Sequence, residues 1–562
     1  MVSPSVAGSA PSPSRAPTNP RMAPAIVAVP PPLVVALAVI LIVRPGLMPD
    51  VGYWDTGEFQ TILPILGTAH PTGYPTYVLL GFVVNILLTQ LGEPAFRMNV
   101  FSLLCVAVAA AATVRLVQRL TGVLPLAMAT GLALALTPYT WRIATHADPH
   151  TLHLALVAIL FGVLVRWEVA RHAGADSADR WLVLAAIVFG LSVGNHSLTL
   201  LLAIPVGLFV LAVDPRVVLR PRLVAACALA LIATVVAVYL ELPLRAGPFR
   251  APLVYAQPDT WDGFWYVALA EQFRGSLHDP LGDLPAKLGD LVGLAQAQFG
   301  YLAILIPVGF LATVARHWRY ALLSGSATVI TVLFNASYTN ADISRYYLGP
   351  ILWAWTWLAI LGAVVVEQVT AFSAQGDVLE RVPEAGLDCP PQDGIDAAPE
   401  AGPGGPHRRR WLGDSPAATV VATALAVALL VPTLADLGPR ARSADLSGDE
   451  FARRWLDAAL ANIDQNAVVV SWWSTSTPLW YAQYVDHLRP DLFIVDDRTR
   501  LDQHYGEATD VIALFLASRP VYVIRANDYD LGLVKALYSL QPLTAAPATN
   551  VYRVLGPLGA GG

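Results

Sequence analysis

The sequence predicts an α-helical polytopic membrane protein of about eleven transmembrane helices, followed by a small C-terminal α/β domain. Three observations carry this. Of 562 residues, 55% are hydrophobic and only 14% charged, whereas a soluble domain is nearer a quarter charged, and the mean hydropathy is +0.55. Apolar runs of roughly 17–25 residues, long enough to cross a bilayer, recur between positions 26 and 436. Beyond 450 the pattern changes to short β-rich runs separated by stretches of helical period. The net charge of -6 and the lack of a basic tract argue against a nucleic-acid partner. The three cysteines, Cys105, Cys227 and Cys389, give neither a disulfide framework nor metal-ligand spacing.

Residues 1–25, rich in Pro, Ser and Ala, are expected to form a disordered cytoplasmic tail. The first apolar run lacks a small-x-small cleavage site and closes at Arg44-Pro45-Gly46, so it reads as a retained span. Further spans fall near 98–118, 121–138, 150–167, 222–243, 296–315, 319–335, 346–368 and 416–436. Two stretches are ambiguous. Residues 74–91 follow a Pro-studded segment and carry Asn85 and Gln90, and 181–213 are interrupted at Gly194-Asn195-His196. Arginine placement decides both. If 74–91 is an interfacial or re-entrant helix and 181–213 is two short spans, one side collects Arg115/Arg119, Arg166/Arg171/Arg180, Arg216/Arg220/Arg222, Arg316/Arg319 and Arg408–Arg410. That side is the predicted cytoplasm.

The same placement sets the domains. Residues 26–369 form a transmembrane domain, 370–412 a disordered Gly/Pro/Asp-rich cytoplasmic linker, 413–437 the last span and 438–562 an extracytoplasmic α/β domain, in a cell inner (plasma) membrane. In that last domain the strand-like runs are 467–471, 491–495 and 521–524. There is no Gly-rich phosphate loop. Ser471-Trp472-Trp473 ends a strand, where open α/β sheets place ligands; packing of the tryptophans on the membrane domain is the plainer alternative.

All loops rich in acids, histidines and aromatics then fall on the non-cytoplasmic side, the layout of an active site opening there. The first loop reads Tyr53-Trp54-Asp55-Thr56-Gly57-Glu58-Phe59, then His70-Pro71-Thr72-Gly73-Tyr74-Pro75. In a helix Asp55 and Glu58 share a face. Two acids at a bilayer edge are costly unless they bind a cation, a proton or a substrate, although Asp55 is also a ready N-cap. The next loop, Thr145-His146-Ala147-Asp148-Pro149-His150 with His153 one turn on, has metal-like spacing, but Asp148 before Pro149 also suits a helix start. Asn195 and His196 sit at a helix break, for binding or for packing. The large loop offers Arg245 and Arg274 beside aromatic residues, a combination suited to a phosphate and a sugar ring or to interfacial anchoring. Asp342 and Arg345 make an acid–base pair at the start of a later span.

These motifs resemble a GT-C-type family of polytopic membrane glycosyltransferases that includes a protein O-mannosyltransferase. The likeness rests on Trp-Asp-x-Gly-Glu-Phe and His-Pro-x-Gly-Tyr-Pro, then on 191–196, Leu244-Arg245-Ala246, 342–347 and 484–491. One departure is Ala147-Asp148-Pro149-His150, where a Glu-Val-Tyr-like segment is expected. The resemblance implies a GT-C-like catalytic domain that moves a sugar, with mannose the candidate, from a polyprenyl-phosphate donor to a hydroxyl of a protein or glycan acceptor. Such chemistry needs a base for the hydroxyl and cations for the departing phosphate. Asp55 is the candidate base; Glu58 would tune it or hold a divalent cation (Mg or Mn). Arg245, Arg274 and Arg345 are the candidate phosphate partners. His70 and Tyr74 would shape the pocket, with Asp148, His150, Asn195, His196 and Asp342 as further substrate contacts. Single displacement predicts inversion, and helix 74–91 would give the lipid a sideways entrance. The competing classes are a polymerase or ligase of lipid-linked surface polysaccharide, a transporter and a non-catalytic scaffold. A transporter would show repeats and midplane charges, which the sequence lacks.

Overall fold

In the computed structural model, residues 29–339, 342–380, 416–525 and 527–558 are described. The predicted tail 1–25, most of the linker with Cys389 and Arg408–Arg410, and Asn340-Ala341 lie outside them. The chain begins with α1 (Pro31–Val43), and its first loop folds into α2 (Trp54–Ile65) and α3 (Pro75–Leu87). Tyr74, at the start of α3, packs edge-on to His196. The far end of α3 meets Arg97, which donates to Asn85 at 3.3 Å and to the carbonyls of Thr89 and Gly92. Arg97 lies in the first turn of α4 (Pro94–Thr121). Both ends of α3 therefore lie at one end of the helical layer, as a re-entrant helix requires.

α5 (Leu124–Ala135) and the short α6 (Pro138–Ile143) return to that end, and α7 (Pro149–His172) and α8 (Ala178–Asn195) make the next pair. α8 stops at His196, whose backbone is extended (φ -157°, ψ 133°). A 3-10 turn, Ser197–Leu202, then leads into α9 (Ala203–Val213). This is the break expected inside 181–213. α10 (Pro221–Tyr239) enters the large loop, which holds α11 (Glu241–Ala246) and α12 (Trp261–Ala268). α13 (Leu284–Phe299) and α14 (Ile306–Ser337) follow, and α14 kinks at His317 (φ -141°, ψ 56°), between the two spans predicted there. α15 (Leu348–Glu380) runs past the expected boundary at 369, and α16 (Pro416–Ala435) completes the layer.

Among the described residues, seven helical segments are long and apolar enough to cross a bilayer, one of them the 54-residue Leu284–Ser337, and four apolar helices are shorter. Length alone therefore does not fix the count at eleven. The ends of the helices are more informative. Arg171 pairs with Asp214 at 2.7 Å, Arg220 with Asp179, Arg319 with Glu168 at 3.6 Å, and Arg316 with Glu367. These pairs tie the end of α7, the start of α8, the end of α9, the start of α10 and the kink of α14 into one arginine-rich end. Asp55, Asp148 and Arg345 sit at the other. Between them the core is aromatic and apolar, with Phe161 stacked on Trp353 at 5.1 Å. Leu229, Ile232 and Val236 of α10 remain exposed, as expected of side chains that face lipid. This is a multi-pass membrane protein.

The C-terminal domain starts with α17 (Leu437–Ala444) and α18 (Phe451–Asn462). Its sheet contains β1 (Val468–Val470), β2 (Phe493–Val495), β3 (Val521–Val523), β4 (Tyr538–Pro542) and β5 (Tyr552–Pro557), in the order β2-β1-β3-β5-β4. The first three strands are parallel and β5 is antiparallel to both its neighbours. α19 (Trp473–Tyr484), α20 (Asp497–Asp502), α21 (Ala508–Phe515) and α22 (Asp528–Lys535) complete it. α19 docks on α2 at Gly57, where a Cβ would fall 2.3 Å from the Gly52 carbonyl oxygen and 2.7 Å from Thr477 Oγ1. The glycine of the first-loop motif is thus required for close helix approach.

Arg453 of α18 fastens the two parts together. It donates to both oxygens of Asp50, at 2.9 and 2.8 Å, and to Asp486 at 2.7 Å. Replacing it strands two partly buried carboxylates. Arg453→Met is expected to cost about 2 kcal/mol and to lower the unfolding midpoint of the whole chain in detergent. An unchanged midpoint would show that water screens the cluster.

Candidate active site

The first turn of α2 presents Asp55 toward the C-terminal domain, and Arg345 reaches it from the start of α15. Arg345 Nη1 donates to Asp55 Oδ2 at 2.7 Å, and Nε to Asp342 Oδ2 at 3.2 Å. Asp148 Oδ2 lies 3.7 Å from the same Nη1. Arg142 also reaches Asp342, at 2.8 Å. Among the described residues Asp55 Oδ1 accepts no hydrogen bond and Arg345 Nη2 donates none. One carboxylate oxygen and one guanidinium nitrogen therefore remain for a ligand.

Glu58, one turn further along α2, is fully buried. Its Oε1 accepts the His70 backbone N–H at 2.8 Å, and its Oε2 lies 2.5 Å from His70 Nδ1. Both oxygens thus face one residue, and Glu58 serves to hold the His70 ring in place. Among the described residues no group of three or more His, Cys, Asp or Glu side chains is placed to hold a metal. Phe59, Tyr74 and Trp473 surround the imidazole at 5.3–5.7 Å between ring centroids. Burial alone would lower the His70 pKa. The Glu58 carboxylate, through its charge and its hydrogen bond, outweighs this, and His70 titrates above its ordinary range.

Asp148 caps α7: its Oδ1 accepts the His150 backbone N–H at 2.8 Å and lies 2.9 Å from His150 Nδ1. His150, His196 and Tyr346 pack ring against ring at 5.0–5.7 Å. Asn195 donates to the Pro149 carbonyl at 3.1 Å, which ties the end of α8 to the start of α7.

A cavity of about 1210 Å³ separates the helical layer from the C-terminal domain. Asp55, His70, Tyr74, His150, His196, Arg274, Asp342 and Arg345 line its wall. Glu58, Asp148 and Asn195 stand behind this wall rather than in it. Arg245 departs most from expectation. Its Nε donates to the Leu66 carbonyl at 2.7 Å and Nη2 to that of Ile65 at 3.3 Å. It caps carbonyls left open at the end of α2 and does not line the cavity, which corrects its assignment as a phosphate partner. Trp472 and Trp473 do line the cavity, and both pack on Trp54, so the ligand and packing readings of this pair coincide. Tyr255 and Arg498 also line the cavity and were not anticipated. The available signal was Asp496-Asp497-Arg498 directly after a strand, the position that Ser471-Trp472 occupies beside it.

Solved structures share this architecture. ArnT from Cupriavidus metallidurans bound to undecaprenyl phosphate superposes with a TM-score of 0.56 at 15% identity, over 93% of this chain and 97% of that one. The archaeal oligosaccharyltransferase AglB from Archaeoglobus fulgidus, in complex with an inhibitory peptide and a dolichol-phosphate, gives 0.52 at 11%, over 93% and 74%. The fold is GT-C. Within this GT-C scaffold, residues 55–218 match the model of the Protein O-mannosyl-transferase TMEM260 N-terminal domain. Mouse (Mus musculus) Protein O-mannosyl-transferase TMEM260 is 30% identical over 224 residues, which is 39% of this chain but only 31% of that protein. The matched region opens at Asp55 and takes in Glu58, His70, Asp148 and His196.

Proposed function

We propose that this chain is a membrane glycosyltransferase that moves a sugar, with mannose the candidate, from a polyprenyl-phosphate donor to the hydroxyl of a protein or glycan acceptor at the extracytoplasmic face. The observation that carries it is Asp55, the first residue of a region similar to an O-mannosyl-transferase domain, paired with Arg345 on the wall of a large cavity. ArnT and AglB, which share the fold, are seen with undecaprenyl phosphate and dolichol-phosphate, and the apolar wall of Leu269, Phe273, Leu277 and Phe334 suits an isoprenoid tail.

Asp55 Oδ1 takes the proton of the acceptor hydroxyl while Arg345 holds the other oxygen in place. The acceptor oxygen bonds to the anomeric carbon, the bond to the phosphate oxygen breaks, and the configuration inverts. The leaving group departs as a polyprenyl phosphate, met by Arg345 Nη2, Arg274 and His70. His70 offers its remaining ring nitrogen, Nε2, because Glu58 occupies Nδ1. The arginine-rich end faces the cytoplasm and the C-terminal domain lies outside. A plasma-membrane location and the four domain boundaries belong to the same proposal.

Mass spectrometry of a strain lacking the chain is the test. Loss of a hexose from extracytoplasmic proteins supports protein glycosylation. Loss from surface glycans alone assigns the polymerase or ligase reading. An unchanged proteome and unchanged glycans would refute both.

A further inference from the structure

Arg498 has no role in the chemistry above, yet it is only 7% exposed. Its guanidinium carbon sits 4.6 Å from the Tyr255 ring and 5.0 Å from the Trp480 ring. Those rings cover faces of the guanidinium plane, whereas its N–H bonds point along the edge. Nε and Nη1 are buried without a hydrogen-bond partner, and among the described residues no carboxylate lies within 4.0 Å. Of the neighbouring acids, Asp497 pairs with Arg500 and Arg525, Asp502 accepts the Ala256 backbone N–H at 3.2 Å, and Asp496 accepts from Thr499 through Oδ1 while its Oδ2 is buried without a partner and makes no ion pair with Arg498 within 4.0 Å.

A buried cation with an empty edge calls for an anion. Its position indicates which one. Arg498 borders both the large cavity and a second one of about 480 Å³ between loop 250–257 and the C-terminal domain. Gln257, Gln483, Tyr484, Thr499 and Gln503 line the second cavity together with apolar residues such as Leu253 and Ile494, a mixed lining unlike the apolar wall that suits a lipid. The donor already has cations beside Asp55. A polar acceptor arriving from water would pass through the second cavity and meet Arg498 on its way to the base.

We propose that the second cavity is the acceptor's entry site and that Arg498 binds a carboxylate of the acceptor near the hydroxyl to be glycosylated. This rests on the glycosyltransferase reading and adds a preference for acidic acceptor polypeptides.

The probes are a Ser/Thr peptide with a neighbouring Asp, the same peptide with Asn in its place, and undecaprenyl phosphate, each titrated into the whole chain in detergent. The wild type should bind the Asp peptide about tenfold more tightly than the Asn peptide. R498Q should abolish that difference, R498K should restore part of it, and neither should alter undecaprenyl phosphate binding. Equal binding of the two peptides by the wild type overturns the proposal, as does an R498Q defect confined to undecaprenyl phosphate. Retained discrimination in R498Q would reduce Arg498 to a clasp between loop and domain. Thermal unfolding of each variant separates misfolding from lost recognition. Failure of the wild type to bind undecaprenyl phosphate would count against the glycosyltransferase reading instead.

Discussion

Asp55→Asn is expected to lower kcat for sugar transfer about 10³-fold, with donor binding little changed. The substitution keeps the size of the side chain and an oxygen that can still accept from Arg345 Nη1, now 2.7 Å from Asp55 Oδ2. It removes the ability to take up a proton. An acceptor alcohol does not ionise near neutral pH, so its proton must leave as the new bond forms, and no water-sized detour replaces a carboxylate in contact with it. The measurement is single-turnover transfer in membranes containing equal amounts of wild type and variant. Undecaprenyl phosphate binding serves as the control for a folded site. Near-wild-type turnover would remove Asp55 as base and move attention to His150, whose Nδ1 is held by Asp148 and which also lines the cavity. Asp55→Glu should retain more activity than the amide, because charge is kept and only its position shifts.

The elements legible in the sequence were those governed by local pattern. Apolar period and arginine placement identified the long helices, the turned-back α3 and the break before His196. The pairing of Asp55 with an arginine beyond 340 was legible only as a shared side of the membrane. What the sequence did not show was how each polar group is used. Asp55 and Glu58 are three residues apart and share a helix face, yet one meets the cavity and the other is covered by His70, which the loop after α2 folds over it. Arg245 looked like a phosphate ligand, but the end of α2 claims it through two carbonyls. Arg498 could be suspected only from its place directly after a strand, since its partners Tyr255 and Trp480 come from a distant loop and a different helix. Local periodicity fixes the faces of helices; long-range packing decides which buried charge is satisfied and which is left open.

His70→Gln is expected to cut kcat/KM about 10²-fold, and Glu58→Gln to change the pH profile rather than simply scale it. His70 faces Glu58, Asp55 and Arg345, with Phe59, Tyr74 and Trp473 packed around it and His196 packed on Tyr74. Burial opposes its charge, and Glu58 more than compensates, so the folded pKa is raised. The imidazolium is therefore fully present below the ordinary histidine range and is lost as pH rises through the raised folded value. Activity that depends on Nε2–H meeting the departing phosphate falls on that alkaline side. The amide introduced by Glu58→Gln can still accept the His70 backbone N–H, but it carries no charge to hold the proton on the ring, and burial then prevails. The alkaline limb of kcat/KM should move to lower pH in Glu58→Gln, and transfer should suffer more at pH 8 than at pH 6. His70→Gln should lack that limb, because no imidazole remains to titrate. If Glu58→Gln lowers activity equally at every pH, Glu58 serves the packing of α2 alone, and the phosphate must be met by Arg345 and Arg274 without a proton from His70.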